Sequence, residues 1–215
     1  MSSHTARSAP PRATSTTPVG VDVGSTGQLF AATTIDDGPG HATTPSADYA
    51  EALFGEFQTA TSRLGIAPAA GPDNLGAIVA RYWERLRTAF ELAADDVIRR
   101  ARTHARPVLV LEDLPTDVRP LAETANGCVR WATYCPPVAQ QVLAERAVAD
   151  GIPVAYVDPM NTTQECHACG ELGDVDRYVI ECTNDDCHVE AAGRDPSAAV
   201  SIARRYVQAT GDHHD

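Results

Sequence analysis

Lysine is absent from this chain. All 17 basic side chains among its 215 residues are arginines, set against 18 aspartates and 11 glutamates for a formal net charge of −12. Such an excess of carboxylates excludes tight nucleic-acid binding by overall charge, so any such surface must be a local patch of arginine. It suits a protein kept soluble in concentrated salt, as in a halophilic archaeon, because carboxylates hold water and counterions well. A GC-rich genome writing Arg in place of Lys is the alternative source of the bias. Also missing is any apolar run approaching the roughly 20 residues that span a bilayer, which leaves no membrane partner to expect. The segment 1–18 has no apolar block that could serve as a secretory signal, and its Ser, Thr, Pro and Arg content reads as a disordered tail. The expected location is the cytoplasm, where thiols stay reduced and grouped cysteines more often hold metal than form disulfides.

What is present is length enough for one good-sized domain, or one domain with a small insert. Val19-Gly20-Val21-Asp22-Val23-Gly24 predicts a buried strand, and Leu29 to Ile35 a second one after a Gly/Ser/Thr turn. Asp36-Asp37-Gly38-Pro39-Gly40 is a hairpin or loop signal, and Tyr49 to Leu64 a helix ending at Gly65. The strongest helix follows a Pro/Gly linker, with Asp73 or Asn74 as its cap. One face carries Leu75, Ile78, Val79, Tyr82, Trp83, Leu86, Phe90, Val97 and Ile98 at helical spacing. The other face, with Arg81, Glu84, Arg85, Arg87, Glu91 and Asp95, predicts a solvated surface paired along the helix, or else a nucleic-acid contact. Pro107 to Glu112 reads as a central strand. A helix from Val138 to Ala149, a strand from Ile152 to Val157 and a helix from Ser197 to Tyr206 complete the chain, before an acidic frayed end over 208–215. Alternating strands and helices imply an α/β core with a mixed sheet.

Four cysteines stand in two close pairs, Cys166-His167-Ala168-Cys169-Gly170 and Cys182-Thr183-Asn184-Asp185-Asp186-Cys187. Paired thiolates of this kind suit a structural, tetrahedral Zn²⁺. Each pair predicts a tight knuckle, with Gly170 letting the backbone fold around the metal, and Val175 to Glu181 predicts the ribbon's strand. An iron–sulfur cluster or redox pair is the alternative that this spacing does not favour. His167 and His188 flank the cysteines as spectators, and Cys128 and Cys135 are expected to be core or surface thiols.

Three carboxylates stand where an apolar strand or a tight turn tolerates them only for a reason. Asp22 interrupts the first strand, Glu112 ends the run Val108 to Leu111, and Asp195 sits in Gly193-Arg194-Asp195-Pro196. Buried carboxylates are costly unless paired or bound to a cation. Converging from separate elements, they would make an all-oxygen site suited to Mg²⁺ or Mn²⁺, of the kind that hydrolyses phosphodiesters. Each also has a plain alternative: Asp195 as a helix cap, Glu112 as a surface residue at a strand end, Asp22 as a turn former.

With the cysteine ribbon, this pattern resembles the RuvC domain of the TnpB (OrfB) transposon-encoded nucleases, relatives of type V CRISPR effectors. Gly20-Val21-Asp22-Val23-Gly24 is similar to the family's first motif and Leu109-Val110-Leu111-Glu112-Asp113-Leu114 to its second. The stretch from Val157-Asp158-Pro159 through Thr162-Thr163 to Cys169-Gly170 is similar to its ribbon entry, and Arg194-Asp195-Pro196-Ser197-Ala198-Ala199 to its third motif. The resemblance implies an RNase H-like (RuvC) mixed sheet with flanking helices over 19–207 and a zinc ribbon inserted over 160–192. It implies a DNA endonuclease with Asp22, Glu112 and Asp195 as catalytic, metal-holding residues, DNA as partner, and a guide RNA as a further partner. Two departures stand out. Ser197 replaces the family's usual Asn, and only the tail precedes the first motif, so the recognition lobe is expected to come from a partner chain. A non-cleaving, nucleic-acid-binding remnant of a transposable element is the alternative.

Overall fold

The computed structural model describes residues 16–24, 27–66, 72–114 and 131–211. Its main sheet has the order β2-β1-β3-β4, built from β1 (Thr17–Asp22), β2 (Ala31–Thr33), β3 (Pro107–Glu112) and β4 (Val154–Val157). β2 runs antiparallel to β1, while β1, β3 and β4 run parallel, the mixed sheet that the alternation implies. The crossovers are helical: α1 (Asp48–Ile66) and α2 (Pro72–Ala101) lie between β2 and β3, and α3 (Trp131–Ala149) between β3 and β4. A second sheet, order β5-β6-β7, is antiparallel and formed by β5 (Asp174–Val175), β6 (Val179–Glu181) and β7 (Ala191–Gly193). It leads directly into α4 (Arg194–Thr210).

Side chains alternate faces along a strand, and the two faces of the main sheet are covered by different helices. Val19, Val21, Leu109 and Leu111 enter a large core with Leu86, Phe90, Val97 and Ile98 of α2 and Val138, Val142 and Leu143 of α3. Val108, Val110 and Val157 face the other way, onto Ile202 and Tyr206 of α4. Gly20 and Asp22 alternate onto this second face, as does Glu112. At Gly20 the helix comes so close that a Cβ would lie 1.9 Å from the Ala199 carbonyl oxygen and 2.7 Å from the Ala203 nitrogen. Only glycine lets α4 rest on the strand there.

Several boundaries differ from the sequence expectations for identifiable reasons. β1 begins at Thr17, inside the segment read as tail, because the parallel ladder starts at Thr17–Pro107 and Thr17 Oγ1 donates to the Ala105 carbonyl at 2.9 Å. The tail's first 15 residues lie outside the described residues, as do 212–215. The closing helix starts three residues early and runs on through Thr210, so residues 208–210 are helical; Gly211 caps it in the left-handed region (φ 66°). α3 starts at Trp131 rather than Val138 and contains Pro136 and Pro137 in its second turn, where each removes an intrahelical N–H donor. The Val175 to Glu181 strand is two short strands, β5 and β6, turned at Asp176–Tyr178. The side chains of Leu75, Ile78 and Val79, and the proposed Asp73 or Asn74 cap, lie outside the described residues.

The charged face of α2 pairs largely with its neighbours. Arg87 meets Glu91 at 3.0 Å along the helix, but also Glu145 of α3 at 2.8 Å. Arg85 meets Glu56 of α1 at 3.1 Å, and Asp95 binds Arg146 of α3. These pairs stitch the helical layer at its solvent rim. No helix among the described residues is long and apolar enough to cross a membrane.

Candidate functional site

The four cysteine thiols converge. Among the described residues, Cys166, Cys169, Cys182 and Cys187 are the one group of three or more potential metal ligands whose donor atoms all lie within 4.8 Å of one another. Two turns create it. In the first, Gly170 (φ 81°) donates its N–H to the Cys166 carbonyl at 2.9 Å, and the Cys166 N–H returns to the Glu171 carbonyl at 2.9 Å. In the second, the Cys187 N–H reaches the Asn184 carbonyl at 2.9 Å while Asn184 Oδ1 accepts from Asp186. Cys166 Sγ lies 3.8 Å from Cys187 Sγ, and Cys169 Sγ 3.6 Å from Cys182 Sγ. Those spacings are far from the roughly 2.05 Å of a disulfide. They match the edge of about 3.8 Å in a tetrahedron of sulfurs each about 2.3 Å from a central zinc. The donor set therefore fits a zinc ribbon. A backbone N–H at Glu171 pulls the Cys169 thiol down to about 7, with help from the neighbouring thiols. Burial and neighbouring thiols push Cys182 and Cys187 up instead, so the four share one thiolate, and a bound cation would displace the remaining protons.

His167 and His188 stand outside this group, as expected. His167 Nδ1 lies 3.2 Å from Ser197 Oγ, and its backbone N–H bonds the same hydroxyl at 3.3 Å. Burial, then the charges of Arg204 and His188, push its pKa down. Cys135 is a buried core thiol whose pKa burial pushes up; Cys128 lies outside the described residues.

The three carboxylates also come together, from three elements. Asp22 ends β1 and Glu112 ends β3, both at the carboxyl edge of adjacent parallel strands in the same register. Asp195 occupies the first turn of α4 beneath them; Gly193 is the cap, so Asp195 is not one. All three are buried, at 3%, 7% and 5% exposure, which removes the surface and turn alternatives. Burial, reinforced by the charges of Asp195 and Glu112, holds Asp22 well above the ordinary carboxylate range, with Arg194 opposing. Glu112 is raised by burial, against a hydrogen bond from Thr162 and the charge of Arg205. A buried carboxylate raised in this way by burial and by neighbouring negative charge, as Asp22 is, is what a divalent cation would relieve. The cluster is looser than the thiol group, and both Asp195 oxygens have partners. Arg194 Nε donates to Oδ1 at 2.6 Å and Gln28 Nε2 to Oδ2 at 2.8 Å.

Four supporting residues escaped the sequence reading. Gln28 reaches Asp195 from the β1–β2 turn, 167 positions away, with no local signal. Thr162 donates to Glu112 Oε1. Arg204 donates to the His167 carbonyl, and Arg205 to Glu165 and to the Asp158 carbonyl. The Arg204–Arg205 pair lies a helical turn beyond the third motif, where a signal was visible but unassigned. A groove of about 790 Å³ is lined by Pro39, His167, His188, Gly193 and Pro196 among others.

Residues 139–202 match the family described as Cas12f1-like, TNB domain. No curated protein matches the chain. Among solved structures the fold is similar to a Cas12f1–sgRNA–target DNA complex, at TM-score 0.65 and 16% identity over 93% of this chain and 52% of that one. It is similar to the mini-RNA-guided endonuclease CRISPR-Cas_phi3, at TM-score 0.59 and 13% identity over 89% and 45%. It is similar also to a CRISPR-Cas12f ternary complex, at 0.56 and 17% over 91% and 40%. The chain thus spans about half the length of these neighbours, and the likeness is one of fold.

Proposed function

We propose that this chain is the RuvC-like nuclease part of a TnpB-type, transposon-encoded endonuclease, cutting DNA phosphodiesters with a zinc ribbon beside its active site. The observation that carries the reading is the meeting of three buried carboxylates from β1, β3 and α4, next to a four-thiol centre. Asp22, Glu112 and Asp195 would hold Mg²⁺ or Mn²⁺, and Cys166, Cys169, Cys182 and Cys187 would hold Zn²⁺. Bound there, the divalent cation supplies Lewis-acid activation of water and neutralises charge on the leaving oxygen. The chain's own residues fix the carboxylates: Gln28 and Arg194 hold Asp195 from opposite sides, and β1 and β3 fix Asp22 and Glu112 at a common edge. A solved neighbour in complex with sgRNA and target DNA, and another described as an RNA-guided endonuclease, support nucleic acid as the partner.

The test is cleavage of labelled single-stranded DNA by the zinc-loaded protein. Cutting is expected only with Mg²⁺ or Mn²⁺, and Asp22→Ala should abolish it while zinc content and fold are kept. Equal cutting by both proteins would identify a contaminant. A second reading, a binder that does not cut, is favoured by the capture of both Asp195 oxygens by Arg194 and Gln28. It would replace the first if the folded wild type retarded DNA in gels and never cut it.

A further inference from the structure

Thr162 lies in the turn that leads from β4 into the ribbon and is 2% exposed. Its hydroxyl donates to Glu112 Oε1, fifty residues back in the chain. A second acceptor, the Pro159 carbonyl, is farther away at 3.2 Å, so the single proton goes to the carboxylate. The Glu112 backbone is fixed separately: Gln140 Nε2 donates to its carbonyl at 2.8 Å, and the β3–β4 ladder pairs it with Val157. What the ladder leaves free is the rotation of a side chain with three torsions, and only Thr162 among the described contacts acts on that.

The turn carrying Thr162 is itself pinned. Arg205 of α4 donates to the Asp158 carbonyl at 2.5 Å and the Met160 carbonyl at 2.6 Å, and it grips both carboxylate oxygens of Glu165. Asp158 Oδ1 accepts the Met160 N–H at 2.9 Å. A flexible loop would not spend four guanidinium bonds on one bend. We propose that Thr162 is a positioning residue that presets the Glu112 carboxylate for cation binding, with Arg205 holding Thr162 in place. The inference rests on the cation reading of Asp22, Glu112 and Asp195. An oriented, hydrogen-bonded carboxylate binds a cation without first losing its own rotational freedom, and partners of metal ligands typically matter by about 10–100-fold in affinity or activity.

The experiment is Mn²⁺ binding followed by electron paramagnetic resonance, on the full zinc-loaded chain. Thr162→Val and Thr162→Ala, which remove the hydroxyl with and without conserving shape, should each weaken Mn²⁺ binding by about 10-fold. Thr162→Ser, which keeps the donor, should bind like the wild type, and thermal unfolding should confirm that all three are folded. Should Thr162→Val not fold, the Ala and Ser variants carry the same comparison. Wild-type affinity in the Val or Ala variant, or a Ser variant as weak as Ala, overturns the positioning role alone. If wild type and Asp22→Asn bind Mn²⁺ identically, the cation reading falls and the positioning role with it.

Discussion

Every residue of β1 from Pro18 to Asp22 and of β3 from Val108 to Glu112 is buried, whereas in β5, β6 and β7 only Ile180 is. The main sheet has apolar layers on both faces, α1 to α3 on one side and α4 on the other. The ribbon leaves Leu172, Val175, Tyr178 and Val179 exposed and buries the thiol of Cys166 instead. The first sheet is held by area removed from water, and the second has too little area for that. Its order must come from ligation and from the side of α4 against which it leans. An ion held by the four thiols would give the ribbon the order that burial alone gives the main sheet.

The harshest way to break this comparison is to remove the metal. Cys182→Ser, or a strong chelator, should cost the ribbon the larger part of a binding energy that reaches about 10–16 kcal/mol in zinc-finger peptides. Amide hydrogen exchange should then show protection lost over 166–193 and kept in β1, β3 and α2. Joint melting of both regions would show that the core leans on the ribbon after all. Next comes Gly20→Ala, which forces a methyl to 1.9 Å from the Ala199 carbonyl. Overpacking of this kind should cost about 3 kcal/mol in urea unfolding while zinc stoichiometry stays at one. A neutral result would mean that α4 does not sit on β1.

Acidity probes the seam between the regions. Asp22 and Glu112 have folded pKa values above those of free carboxyls, so over the window between the two the native protein binds more protons than the unfolded chain. Metal-free stability should therefore rise as pH falls through that window, and fall as pH rises through it, levelling off above the folded values. Asp22→Asn should flatten this slope and raise the neutral-pH Tm by about 2–4 °C. Calorimetry across pH checks both, and a slope of the opposite sign would mean that the Arg194 and Arg205 charges and the Thr162 hydrogen bond outweigh burial at these carboxylates. The smallest effect belongs to the rim. Arg87 is 43% exposed, so Arg87→Ala should cost no more than about 1 kcal/mol despite two ion pairs. A larger loss in urea would show the stitch between α2 and α3 to be structural.

Period-2 and period-3.6 patterns made most elements legible, because apolar strands and one-faced helices advertise what they bury. The thiol group was legible too, since its spacing sits within 22 residues of chain. The carboxylates were nameable one by one, yet their meeting depends on register, β1 against β3, and on a glycine contact between residues 20 and 199. Gln28 left no trace in sequence and Thr162 stood in the ribbon entry without a role, because their partners are 167 and 50 positions away. The early start of α3 was hidden by Pro136 and Pro137, which ordinarily argue against a helix.

Helix α4 touches all four strands of the main sheet as well as β6 and β7 of the ribbon, and it leaves the ribosome long after β1. At about 5–20 residues per second, β1 waits on the order of 10–30 s for the helix that covers its Gly20 and Asp22 face. Through that interval the nascent chain carries an uncovered sheet face and an acidic residue with no neighbours to repel. Assembly of the candidate site thus waits on α4, and the long sequence separation of its parts predicts slow maturation and exposure to chaperones.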